Sequence, residues 1–213
     1  MGDSAGGLKQ VALIALALSP LVPPVVLPGL GTLVSLAIVF LTLLFVRSAR
    51  APTLASTGGS WRRALRLGLV AGLILALVFQ FGVEPGLEWL TDSEVDLEDF
   101  AGVEGDLGKY LLLLALALVF GGVLEEVIFR GFVIGWGTAL LGERAAIWLM
   151  LLSAVIFGLA HFYQGWLGVL TTGLVGLALG WIYLRGGRVL LPAILVHMLI
   201  NFVGVTLIYT GYA

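Results

Sequence analysis

Glu125, Glu126 and Arg130 sit in the stretch GGVLEEVIFRG, Gly121–Gly131, with apolar sequence on both sides. The chain's two histidines, His161 and His197, and its only asparagine, Asn201, lie in apolar segments further on. On a helix, residues four apart share a face, and an acid four residues before a base is the favoured order for an ion pair. Glu126 and Arg130 have that spacing. Glu125 is turned by about 100° from Glu126, because a helix closes a turn in roughly 3.6 residues. One carboxylate therefore has a built-in partner and the other points elsewhere. His197 and Asn201 are also four apart, and Ser153, Phe157 and His161 share one face.

These residue types can hydrolyse an amide. A carboxylate beside an imidazole can take a proton from water as a general base. A side-chain amide and a second imidazole can donate hydrogen bonds to the oxyanion that forms. No covalent intermediate is needed. The alternative is a metal. Glu125, His161 and His197 would make a two-histidine, one-carboxylate set of the kind that binds catalytic zinc. The helical HExxH signature is absent, and the two histidines lie on separate segments, so such a site would depend wholly on tertiary packing. Other hydrolytic chemistries are missing their parts. The chain has no Cys, no Gly-x-Ser-Gly motif, and no Asp in any apolar segment.

The elements that must position these residues are membrane helices. Of 213 residues, 60% are hydrophobic and 11% charged, and the mean hydropathy is +1.12. That exceeds the usage of soluble domains. A bilayer core needs roughly 20 apolar residues per helix. The expected fold is all-α, a polytopic transmembrane bundle of about seven spans in one membrane domain, 1–213. Residues 1–109 supply N-terminal helices and an acidic loop, and 110–209 a catalytic core in the C-terminal half. The expected spans are Leu8–Leu27, Leu30–Val46, Ala64–Val83, Tyr110–Leu140, Ala145–Tyr163, Trp166–Leu184 and Val189–Tyr209. Pro20, Pro23, Pro24 and Pro28 crowd the end of the first, which reads as a retained helix with a broken end. The first two segments form a hairpin through LPGLG.

The loop from Arg47 to Arg66 carries five arginines and no acid, and the loop from Glu84 to Asp106 carries nine of the 13 acids. The positive-inside rule places the arginine loop, and with it the N-terminus, in the cytoplasm. The acidic loop is expected as a solvated loop outside. A basic patch for nucleic acid is absent. The expected setting is a multi-pass protein of a prokaryotic cytoplasmic membrane, its partners the bilayer and a membrane-associated peptide or protein.

An intramembrane charge costs roughly 2.5–3.5 kcal/mol, so three isolated ones would cost on the order of 8–10 kcal/mol. Pairing Glu126 with Arg130 offsets part of that. Glu125 is left to face a cavity, as intramembrane ionisable groups usually do. Trp136, Trp148, Trp166 and Trp181 are expected in interface belts, and Ser153 in packing.

EEVIFR fits EExxxR, FGLAH fits FxxxH and HMLIN fits HxxxN. In this order, on successive apolar segments and using both histidines and the only asparagine, they resemble the CPBP family. That family groups type II CAAX prenyl endopeptidases with bacterial Abi and bacteriocin-processing relatives. The resemblance covers roughly Tyr110–Tyr209. It implies a glutamate-type intramembrane endopeptidase in which Glu125 and His161 activate water and His197 and Asn201 stabilise the oxyanion. Glu126, Arg130 and Phe157 are supporting residues. Members are often labelled metalloproteases, but the glutamate mechanism needs no cofactor, and zinc is the less favoured alternative. The non-enzymatic alternative is an immunity factor, scaffold or proton relay on the same fold.

One tension remains in the sequence. With seven spans, His161 and His197 fall toward opposite ends of their helices. If Phe129–Leu140 crosses separately, as an eighth span, the later helices invert and RGGR, Arg185–Arg188, moves outside. The catalytic pattern requires Glu125, His161, His197 and Asn201 to line one cavity.

Overall fold

The structure, a computed structural model, describes residues 3–212, all of whose regular elements are helical. Helix α1, Asp3–Leu18, passes into two short turns at Ser19–Leu21 and Pro23–Val26. Prolines lack the N–H that a continuous helix needs, and they set this break. Helix α2, Gly31–Phe45, returns alongside, and α3, Arg47–Thr53, bends away from it by 119°. The long helices α4, Trp61–Thr91, and α5, Leu107–Leu141, follow. Three more complete the bundle: α6, Ala146–Leu159; α7, Gly165–Arg185; and α8, Leu190–Thr210.

Five stretches are long and apolar enough to cross a membrane, and the bent α2–α3 pair makes a sixth. The expected count of seven is therefore not reached by length. The shortfall is at α6, whose 14 residues extend only about 21 Å at 1.5 Å per residue, against a hydrocarbon core of about 30 Å. The expected third span also ends too early. Its helix runs through Glu84 and Glu88 to Thr91, so the acidic loop shrinks to the stretch after it. The fourth does not break at Gly131 but continues as one 35-residue helix.

The connections sort to two ends. The amides of Leu190 and Leu191 donate to the carbonyls of Ala55 and Ser56 at 2.8 and 3.0 Å. Arg188 pairs with Glu143 at 2.7 Å. The arginine loop, the α5–α6 turn and RGGR thus share one end. At the other end the Asp96 amide donates to the Gln164 carbonyl at 3.1 Å, and the Gly105 amide to that of Tyr209 at 3.0 Å. The eight-span alternative, which separates RGGR from the arginine loop, is contradicted by these contacts.

Every residue from Ile128 to Thr138 is buried. This half of α5 is the central post of the bundle, apolar on most sides apart from Arg130 and Thr138, because neighbours cover all of it,. Glycine makes the closest approach possible. At Gly131 a Cβ would run into the carbonyl of Thr53, and at Gly135 it would lie 2.7 Å from the carbonyl of Pro52. Helix α3 therefore packs by its backbone against the post. Trp136, expected in an interface belt, is 0% exposed and stacks obliquely on Phe132 at 4.9 Å. It belongs to the core because it projects from this enclosed segment. Trp148, Trp166 and Trp181 are exposed.

Asp106 caps α5, its Oδ1 accepting from the Lys109 amide at 3.1 Å. That amide is the main cause that holds the Asp106 carboxyl below its ordinary range.

Gly131→Ala will lower stability by about 1–3 kcal/mol, the usual range for overpacking a tight site. Gly82→Ala, where a Cβ meets open space, serves as the control. Thermal unfolding of both variants in the same detergent measures the difference, and near-equal midpoints would contradict the close α3–α5 packing.

Candidate active site

The motif sits on widened helix. Ala117–Glu125 and Val127–Trp136 are π-helical turns that meet at Glu126. Such turns close i→i+5 and are frequent at functional sites. At the start of the widening, the Ala117 carbonyl accepts from Asn201 Nδ2 at 2.9 Å.

Glu126 is fully buried, and its Oε1 accepts two hydrogen bonds. Arg130 Nη1 donates at 2.7 Å and His197 Nδ1 at 2.8 Å. The expected Glu126–Arg130 pair is present. Its link to His197 was not legible in the sequence, since it joins residues 71 positions apart. Arg130 also donates from Nη2 to the Gly176 carbonyl of α7 at 2.9 Å, and its guanidinium lies 4.9 Å from the centre of the Phe157 ring. Gly176 allows this: a Cβ there would press on Phe157 Cδ1 at 3.0 Å. Four helices are thereby tied at one level.

Phe157 carries that level to the second histidine. Its ring centre is 5.7 Å from that of His197 and 4.9 Å from that of His161. The expected mismatch in depth disappears because α6 stops short. Gly158, near its end, packs against Gly173, about two turns inside α7,. His161 is therefore held below the end of α7. Its Nδ1 lies 2.8 Å from the Phe157 carbonyl, which can only accept. Nδ1 must carry the proton, and in the neutral ring Nε2 keeps its lone pair.

Glu125, His161, His197 and Asn201 line one cavity of about 340 Å³. A second cavity, of about 800 Å³, meets it at Glu125, His161 and Tyr163, and reaches the broken end of the first span at Pro24 and Leu27. Glu125 is half-buried and has no hydrogen bond or ion pair among the described residues. Asn201 uses one of its two amide protons on Ala117 and retains the other. Gly121 keeps the site open, since a Cβ there would lie 2.6 Å from Asn201 Nδ2 and 3.7 Å from His197 Nε2.

Ser153 is buried in packing, its hydroxyl 3.5 Å from the Phe129 carbonyl. The acidic loop differs from expectation. Val95, Leu97 and Phe100 line the smaller cavity, and Phe100 meets Tyr163 edge to face at 6.2 Å. The loop is a roof, recruited by its apolar residues rather than its acids. Gln80 and Glu84 also line this cavity. Gln80 is a polar interruption in an apolar run, a signal that marks it in the sequence.

Among the described residues no three His, Asp or Glu side chains are grouped to hold an ion. Glu125, His161 and His197 share a cavity without forming a ligand triad.

Residues 107–203, just under half of the chain, match the model of the family described as Type II CAAX prenyl endopeptidase Rce1-like. Over that segment the chain is similar to the CAAX protease family, and this similarity together with the apolar helices supports an integral membrane protease. No curated protein and no solved structure matches the chain.

Arg130→Met leaves the Glu126 carboxylate buried without its cation and will cost about 3–5 kcal/mol, as removal of one partner of a buried pair does. Denaturant unfolding in detergent measures it. A cost below about 1 kcal/mol, typical of exposed pairs, would show that the pair is not buried in the folded protein.

Proposed function

We propose that the protein is an intramembrane endopeptidase that cleaves a membrane-associated protein or peptide with glutamate-activated water. The observation that carries this is the convergence of Glu125, His161, His197 and Asn201 on one cavity. Glu125 and the Nε2 lone pair of His161 bind and deprotonate a water, which attacks the scissile carbonyl. The proton then passes to the departing amine, as general acid–base catalysis requires. Asn201 donates its remaining amide proton to the tetrahedral oxyanion, and His197 Nε2 supplies a second donor. Glu126 and Arg130 act through His197, by holding its ring. The first and last of these roles extend the family's coarse activity to particular atoms and rest on geometry. No step requires a cofactor.

The role of His197 carries a condition. Its Nδ1 proton goes to Glu126, so a neutral ring presents a lone pair at Nε2. Only the imidazolium can donate there.

The substrate lies at the membrane, as befits a cavity framed by membrane-spanning helices. We place the protein in a prokaryotic cytoplasmic membrane with the arginine-rich end inside. There a hydrophobic peptide or the tail of a membrane protein is a better candidate than a prenylated tail. A non-enzymatic role would leave a carboxylate without a partner beside two histidines, and no observation favours it.

One variant tests the proposal. Glu125→Gln will abolish cleavage in proteoliposomes while leaving helicity and thermal stability close to wild type. Comparing peptides released by cells carrying each form identifies the substrate, and unchanged processing by the variant would sink the proposal.

A further inference from the structure

Glu84 is the carboxylate that this chemistry leaves unused. It follows the π-helical turn Phe79–Val83 of α4 and lines the same cavity as Glu125, His161, His197 and Asn201. The lining of that cavity is mainly apolar, with Phe79, Val95, Leu97 and Leu113 among its residues. Its hydrogen-bond partner is neutral, the Gln80 amide, which donates from Nε2 at 3.1 Å. Among the described residues no Lys, Arg or His forms an ion pair with it. Neither cavity has a Lys or Arg in its lining, whereas Glu84, Glu125 and Asp99 all face one or the other. Arg130, the cation beside Glu126, is fully buried and committed to Glu126 and Gly176.

An ionised carboxylate in an apolar recess is costly unless it is paired. Glu125 has a catalytic use for its exposed charge, but Glu84 has none. Lys and Arg lay long methylene stems on apolar surface and keep a charged head at a polar site. The cavity offers both, an apolar lining that includes Leu97, Leu113 and Phe79 and a Glu84 carboxylate with the Gln80 carbonyl oxygen as a further acceptor,.

The geometry points to Glu84 as a specificity-determining residue that receives a lysine or arginine side chain of the substrate near the bond held at Glu125. This rests on the endopeptidase function proposed above, and it names a substrate class: membrane-associated polypeptides with a basic residue near the cleavage point. Glu84 lies outside residues 107–203, the segment that matches the family. The preference is accordingly a property of this chain's N-terminal half rather than of the matched core.

The test uses the full-length protein in proteoliposomes. The probes are lipid-anchored, N-acetylated, quenched-fluorescence peptides. Each is made with Lys, with the neutral near-isostere norleucine, or with Glu at every position flanking the cleaved bond. Acetylation removes the amino terminus as a source of positive charge. At one position the wild type will cleave the Lys peptide with a kcat/KM about 10-fold or more above its norleucine counterpart, as a charge-assisted hydrogen bond allows. Glu84→Gln will bring that ratio close to one, and Glu84→Asp will restore part of it. Equal rates for Lys and norleucine in the wild type, or an undiminished ratio in Glu84→Gln, would overturn the assignment. If Glu84→Gln does not assemble, the wild-type ratio decides alone. Failure of the wild type to cleave any peptide would count against the endopeptidase function itself. Cleavage without a preference for Lys would count only against Glu84.

Discussion

A single carboxylate oxygen, Oε1 of Glu126, accepts from both Arg130 and His197 inside the bundle. Most of the site's geometry hangs from it. Each of these ions is expensive to bury, by several kcal/mol even after relaxation, and the remaining polar atoms raise the cost. Glu126 Oε2 and Arg130 Nε have no partner within the protein. Such an arrangement is weak evidence for stability, since well-packed apolar residues of similar volume often serve as well. What it supplies is position. Arg130 reaches across to Gly176, Phe157 packs beneath the guanidinium, and His197 is turned so that Nε2 faces the cavity.

The surrounding helices can be understood from what this centre needs. The post from Ile128 to Thr138 is enclosed on every side, so the motif cannot slide or rotate. Gly121 leaves room for the Asn201 amide, while Gly131 and Gly135 admit α3. The widened turns of α5 bring the Ala117 carbonyl to Asn201 and still leave Glu126 and Arg130 in contact. The short α6 ends where His161 is needed, and the acidic loop covers the space above it. Close packing below and a roofed opening above separate the site into an enclosed half and an open half.

The candidate site residues are legible in the sequence because they are anomalies. Charges, histidines and an asparagine are rare in apolar helices and stand out at once, and the i,i+4 spacing of Glu126 and Arg130 foretold their pair. All-helical architecture followed from composition. The errors came from tertiary effects. Trp136 was misplaced because periodicity does not reveal that a segment is enclosed on all sides. Glu84 and Glu88 were read as loop because acids usually end a span, and here the helix continues to Thr91. The expected count of seven spans is not reached by length at α6, whose apolar sequence hides its early end. The contact between His197 and Glu126 has no local signal at all.

The chain contains only two histidines, which makes the central claim directly measurable. Nitrogen NMR of histidine-labelled protein in lipid bilayers reports the protonation of each ring nitrogen. Both rings should carry a proton on Nδ1, that of His161 donated to a backbone carbonyl and that of His197 to a carboxylate. Glu126→Gln should alter the His197 signals and leave those of His161 in place. A bare Nδ1 on His197, or a His197 spectrum unchanged by Glu126→Gln, would contradict the shared carboxylate at the centre of the site.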